Sequence, residues 1–167
     1  MNRIFVAASL ATMTTLLPGL RSADPQPDFS GTWEMDTARS ESTHYEGAGE
    51  PVTKVIRQTA DEFMMETRQG GRTETLVYKL DGTETKRPAE DNGAYHWRAH
   101  WDGAALTTET QRNIKRTAVT VQETRTLNPQ GKEMIVNWTF TVQHGYEMKG
   151  AKNYSSGKDF FVRTPTH

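Results

Sequence analysis

Three places in the chain combine side chains that could do chemistry. His96-Trp97-Arg98-Ala99-His100 sets two imidazoles four residues apart, the spacing at which a helix would present both to one metal ion. The segment alternates in polarity, however, and reads as a strand. Four strand steps separate the imidazoles by about 13 Å, too far for one zinc or iron ion. Parity places His96, Arg98 and His100 in a polar outer row, with Trp97 and Trp101 facing inward. With the opposite parity the same row would line a cavity as a cationic strip suited to a carboxylate or phosphate.

Glu123 and Arg125 form the second place. They share strand parity with Val119, Val121 and Leu127, so two charges fall on a face that is otherwise apolar. Buried charges need partners, and pairing with each other or across strands is one outcome. Orienting the polar head of a ligand inside an apolar cavity is another, and a bulge that turns both outward is a third. The third place, His44-Tyr45, has acid–base side chains but lies in a loop with no other reactive group near it in sequence. No Ser-His-Asp pattern, phosphate loop or metal-spaced cluster occurs, so no catalytic residue, metal ligand or cofactor is assigned.

The elements that must position these residues are strands. Residues 31–37 begin the alternation, with Trp33 and Met35 on one side. Further strand patterns follow over 52–59, 63–68, 73–80, 94–101, 105–112, 118–127, 133–143, 146–153 and 158–163. Between them lie Gly70-Gly71, Asp81-Gly82, Asp102-Gly103, Pro129-Gln130-Gly131, His144-Gly145 and Ser156-Gly157. Several of these supply the positive φ that tight hairpins require. Residues 38–51 read as a long loop, mobile or a lid over one end. No stretch has the length and period of a helix able to cover a parallel sheet. The expected fold class is therefore all-β, an antiparallel up-and-down barrel of 8–10 strands, because closure removes the exposed edges of so large a sheet.

The inward side of that barrel takes Met35, Met65, Tyr78, Trp97, Trp101, Trp138 and Phe140 together with Glu123 and Arg125. These nine residues are the candidate lining of a lumen, which in a barrel of this size is just wide enough for one small ligand. Gly31 beside Trp33 marks a close backbone approach that the indole fills.

Composition narrows the class further. Of 167 residues, 34% are hydrophobic, with four Trp, five Tyr and six Phe, which suits strands with one wetted face and disfavours disorder. A formal charge of -1 without a basic run argues against nucleic acid as a partner. Residues 1–23 have the parts of a secretory signal. Arg3 gives a positive start, Ile4 to Leu17 is apolar and too short to span a bilayer, and Ser22-Ala23 offers a small-residue exit. Cleavage there removes Arg3 and Arg21 and leaves 18 basic against 21 acidic residues. The chain has no cysteine, hence no lipid anchor on that residue and no disulfide. The expected organisation is a signal peptide over 1–23, an extended lead-in over 24–30, a barrel over 31–164 and a tail over 165–167. Secretion or a periplasmic location follows, with no membrane attachment after cleavage.

Phe29-Ser-Gly-Thr-Trp33 with Asp36 and Ala38-Arg39-Ser40 resembles the opening of small exported bacterial lipocalin-like proteins. Trp101-Asp-Gly-Ala-Ala-Leu106 and Leu127-Asn-Pro-Gln-Gly-Lys132 are similar to that family's later hairpins, and Gly31-Thr32-Trp33 resembles the wider lipocalin and calycin signature. A Thr-Asp-Tyr motif of lipocalin type is absent. The resemblance implies a barrel in which an Arg near the end of the last strand stacks on the first-strand Trp, here Arg163 on Trp33, both structural. It implies a cavity and no particular reaction.

The function these features point to is binding of a small apolar or amphipathic molecule in the lumen. Two alternatives remain at this stage. One is an enzyme using Glu123, Arg125 or the His96 to His100 row for proton transfer in the same cavity. The other is an envelope module that binds protein through strand edges or the 38–51 loop.

Overall fold

The computed structural model describes residues 26–42, 50–88, 94–114, 117–143 and 153–165. The expected signal segment, His44-Tyr45 and the turn expected at His144-Gly145 lie outside them.

Ten antiparallel strands make one sheet: β1 (Gly31–Met35), β2 (Thr53–Gln58), β3 (Glu62–Gln69), β4 (Arg72–Lys79), β5 (Thr85–Pro88), β6 (Ala94–Asp102), β7 (Ala105–Ile114), β8 (Thr117–Leu127), β9 (Glu133–Gln143) and β10 (Tyr154–Arg163). Their order is β4-β3-β2-β1-β10-β9-β8-β7-β6-β5, so the first and last strands pair directly, with Trp33 opposite Arg163. The break in the ring falls mid-chain, between β4 and β5–β6. Side chains bridge it: Trp97 Nε1 donates to the Val77 carbonyl at 2.7 Å, and Tyr95 Oη donates to Glu74 Oε1 at 3.3 Å. The result is a nearly closed up-and-down barrel without a helix among the described residues.

Alternation produces this arrangement. Along β9, Met134, Val136 and Trp138 are buried while Asn137 between them is exposed, and β6 buries Tyr95, Trp97 and Ala99 while Arg98 and His100 face solvent. A single interior must take one face of every strand. The hairpins turn where glycine permits: Gly70, Gly82, Gly103 and Gly131 all have positive φ.

Five expectations are corrected. β5 has no counterpart among the expected strands, because Thr85–Pro88 carries no apolar alternation and its side chains are mostly exposed. Ser156-Gly157 is no turn but the middle of β10, where a Cβ on residue 157 would collide with the Trp138 indole. Glycine there is required by packing. β10 consequently starts at Tyr154, four residues before the expected Lys158, and Asn153 precedes it. The expected strand over 146–153 otherwise falls outside the described residues. β1 ends at Met35 rather than residue 37; from there the chain turns through 37–39 but stays beside β10, with Asp36 N bonded to Phe160 O and Glu41 N to Lys158 O. The loop expected over 38–51 is thus anchored to β10 as far as Ser42, and its middle, 43–49, lies outside the described residues.

One end of the barrel is filled. Trp33 is fully buried and donates its Nε1 proton to the Phe29 carbonyl at 2.8 Å. The Phe29 ring lies 6.3 Å from that of Phe63 and 6.1 Å from that of Trp101. Arg163 covers the Trp33 ring with its guanidinium carbon 4.2 Å from the centroid, favourable for a cation over an indole face. Its nitrogens donate to Gly131 O at 2.8 Å, Asp28 O at 3.3 Å and Ser30 O. Gly31 lacks a Cβ where Arg163 Nη1 passes, 2.9 Å from where one would sit. The close approach foreseen at Gly31 is therefore that of the arginine.

Candidate ligand-binding site

Beyond this filled end the interior opens into a cavity of about 870 Å³. Apolar wall comes from Met65 on β3, Leu76 on β4, Val119 and Val121 on β8 and Phe140 on β9, each on the inward parity of its strand. Gln69, Arg72, Glu74, Arg112 and Glu50 stand around the solvent side. Lys54, Tyr78 and Glu123 form the polar depth of the cavity.

That depth rests on a buried ion cluster. The register sets Glu123 of β8 beside Thr108 of β7, and Arg125 two residues farther along the same face. Glu123 accepts from Lys54 Nζ at 2.9 Å through Oε1 and from Arg125 Nη2 through Oε2. Arg125 Nη1 also donates to Thr108 Oγ1 at 2.5 Å, and its guanidinium lies 5.7 Å from the Phe63 centroid. Lys54 Nζ lies 5.1 Å from the Phe161 centroid. Asp159 of β10 is fully buried, accepts from Glu41 N at 3.1 Å and from Ser42 Oγ, and its charge favours the protonated Lys54. Burial pushes the Lys54 ammonium below the usual lysine range; Glu123 opposes that shift and Arg125 adds to it. Two cations and two anions share this interior, and each finds an opposite charge, as buried charges must.

Tyr78 stands apart from the cluster. Its side chain is buried and its hydroxyl makes no well-formed hydrogen bond among the described residues, although Thr108 lies close enough to influence its ionisation. Burial raises its pKa far beyond the ordinary phenol range, so it is a neutral hydroxyl in the folded protein.

The nine lining candidates separate by position. Met65, Tyr78, Glu123 and Phe140 line the cavity. Arg125 is fully buried behind Glu123. Trp97 packs at the β4–β6 gap with its ring 5.3 Å from that of Tyr95. Trp101 sits against Phe29, Met35 packs partly buried against the core, and Trp138 is buried over Gly157. His96 bonds Glu84 at 2.9 Å, Arg98 pairs with Glu109 at 2.8 Å and His100 is exposed, so the row faces away from the cavity. Among the described residues no three His, Cys, Asp or Glu side chains converge to hold a metal ion.

Lys54 and Asp159 were missed. Both carried the signal that exposed Glu123 and Arg125: Lys54 shares parity with Val52 and Ile56, and Asp159 with Phe161, so each is a charge on an apolar face.

No family model matches the sequence, and no curated protein matches it. Solved structures do. A structure described as the REP1-NXSQ fatty acid transporter aligns over 83% of this chain and 98% of its own, with a TM-score of 0.58 and 12% identity. Caenorhabditis elegans lipid binding protein 8 aligns over 81% and 95%, with a TM-score of 0.56 and 13% identity. Human cRBP IV aligns over 83% and 99%, with a TM-score of 0.53 and 20% identity. The fold is calycin-like. At these identities the likeness extends to the path of the chain and the near-closed barrel.

Proposed function

We propose that this protein binds one small apolar or amphipathic molecule in the lumen of its barrel and that it does so after export, in the periplasm or outside the cell. The observation that carries the reading is the cavity itself. Its volume of about 870 Å³ lies within the range of about 300–1,000 Å³ usual for small-molecule sites, and its lining joins an apolar wall of Met65, Leu76, Val119, Val121 and Phe140 to polar side chains at the depth and around the mouth, the make-up of an amphipathic site. Neighbours of the same fold described as a fatty acid transporter and a lipid binding protein support it. Export rests on the charge and apolar pattern of residues 1–23.

Titration with diphenylhexatriene, a hydrocarbon that fluoresces only out of water, tests the binding. Saturation at one probe per chain is expected, with loss of binding in Val121→Trp, whose indole would fill the lumen. Probe binding unaffected by that substitution would place the site elsewhere. Fractionation of cells expressing the full chain tests export: a product shortened by about the length of the leader, outside the cytoplasm, is expected, and an uncut cytoplasmic chain would refute it.

A second reading, proton transfer in the same cavity, is favoured by one fact: Lys54 and Glu123 both line the lumen within hydrogen-bond reach of each other. Each is engaged by the other and Glu123 also by Arg125, which fits a structural ion cluster better than a base awaiting substrate.

A further inference from the structure

We propose that the lumen selects a ligand whose polar group is uncharged, a hydroxyl or carbonyl on an apolar body, and that Tyr78 Oη is the group that anchors it. The inference deepens the lumen-binding reading and rests on it.

The charge balance supplies the first argument. Both carboxylate oxygens of Glu123 are occupied by the two buried cations, one by Lys54 and the other by Arg125. A ligand carboxylate reaching this depth would have to displace Glu123 and would then sit beside it, two like charges in a site poor in water. The surrounding wall offers no surplus cation. Glu50, Glu74 and Glu123 stand against Lys54, Arg72 and Arg112 among the described lining residues. Arg112 is exposed on the solvent side with Glu74 nearby on the same rim, where water screens any attraction for an anion.

Tyr78 supplies the second. Buried hydroxyls normally find a partner. The residue lines the cavity and is only 1% exposed; its hydroxyl is buried behind the wall beside Thr108 and lacks a well-formed hydrogen bond among the described residues, so a guest reaches it by parting the wall there. It can donate to a carbonyl or hydroxyl oxygen or accept from a hydroxyl proton, and a neutral head makes that bond without disturbing the ion cluster alongside. Met65, Leu76 and Phe140 then cover the apolar body.

Displacement of diphenylhexatriene by dodecanol and by dodecanoate at neutral pH tests this. Dodecanol is expected to bind at least tenfold more tightly than dodecanoate. Tyr78→Phe, which keeps the ring and removes only the hydroxyl, is expected to weaken dodecanol about fivefold relative to the hydrocarbon probe, one hydrogen bond's worth. Glu123→Gln leaves the permanently charged Arg125 without its carboxylate at the cavity depth and is expected to strengthen dodecanoate at least tenfold relative to dodecanol. Equal or tighter dodecanoate binding to the natural protein overturns the inference, and tightness lost on Arg112→Ala would assign the anion to the rim. Dodecanol binding indifferent to Tyr78→Phe also overturns it. Failure of the probe itself to bind the natural protein refutes the lumen reading, a separate outcome.

Discussion

Glu123→Gln strikes the buried ion cluster at the side chain that both Lys54 and Arg125 bond. Gln keeps the length of the side chain and one acceptor oxygen but removes the negative charge that Lys54 and Arg125 share. Asp159 then faces two buried cations alone. Removing one member of a buried ion cluster costs about 3–5 kcal/mol, because the partner charge stays buried without compensation. The lower end applies: Lys54 is already depressed by burial and can shed its proton, and the amide oxygen still accepts a hydrogen bond. A loss of about 3 kcal/mol, or about 9 °C in Tm at roughly 3 °C per kcal/mol for a chain of this size, is expected.

Its pH dependence is the more discriminating result. Lys54 ionises at 10.5 when unperturbed and lower in the fold. Between the folded and unfolded values the unfolded chain binds more protons, so stability rises with pH across that window. Losing Glu123 lowers the folded value further and widens the window. The deficit of the variant should therefore be greatest at low pH and shrink as pH rises and neutral Lys54 no longer needs a carboxylate. Urea denaturation of both proteins at several pH values from about 6 to 9.5 measures this through the linkage relation. A deficit below about 1 kcal/mol, or one that does not change with pH, would refute the argument that Glu123 neutralises a desolvated lysine.

Other outcomes follow from the packing. Arg163→Ala should cost about 2–4 kcal/mol by thermal denaturation, since it removes the cation over Trp33 and the bonds to three backbone carbonyls; Arg163→Lys should recover only part, because an ammonium lacks the planar fork. Gly157→Ala should cost about 1–3 kcal/mol by the same measurement and shift the Trp138 emission, because the new methyl group must push the indole aside. Alkaline titration followed by tyrosinate absorbance should leave Tyr78 and Tyr95 protonated until the protein unfolds, since burial raises both above the ordinary value of 10.0. As raised values, their contribution to stability is complete below pH 10.0 and is lost as pH climbs through the window above it, so the denaturation midpoint should fall there.

Much of the fold is legible in the amino-acid sequence. Alternation over Met134 to Val142 and Tyr95 to Trp101 needs only the two-residue period of a strand, and the pairing of Trp33 with Arg163 followed from the resemblance of the first and last strands. The parity that marked Glu123 and Arg125 as charges on an apolar face was correct, and their mutual pairing is what the structure shows. Lys54 and Asp159 stayed hidden because a lone charge in a short strand resembles surface until its cross-barrel partners are known. β5 escaped because it carries no apolar signal, and Gly157 misled because glycine serves both turns and close packing. The opening of the ring between β4 and β5–β6 was illegible for a different reason: a meander of hairpins announces which strands are neighbours in sequence but not where the circle fails to close.

Energy transfer from the indoles to diphenylhexatriene tests the central claim, an unfilled lumen that accepts a single guest, most directly. Trp97 and Trp138 are buried in the barrel wall, so a bound probe should quench them strongly, saturate at one per chain and be expelled by Val121→Trp. Absent transfer, or transfer that grows without saturation as the probe coats the surface, would contradict it.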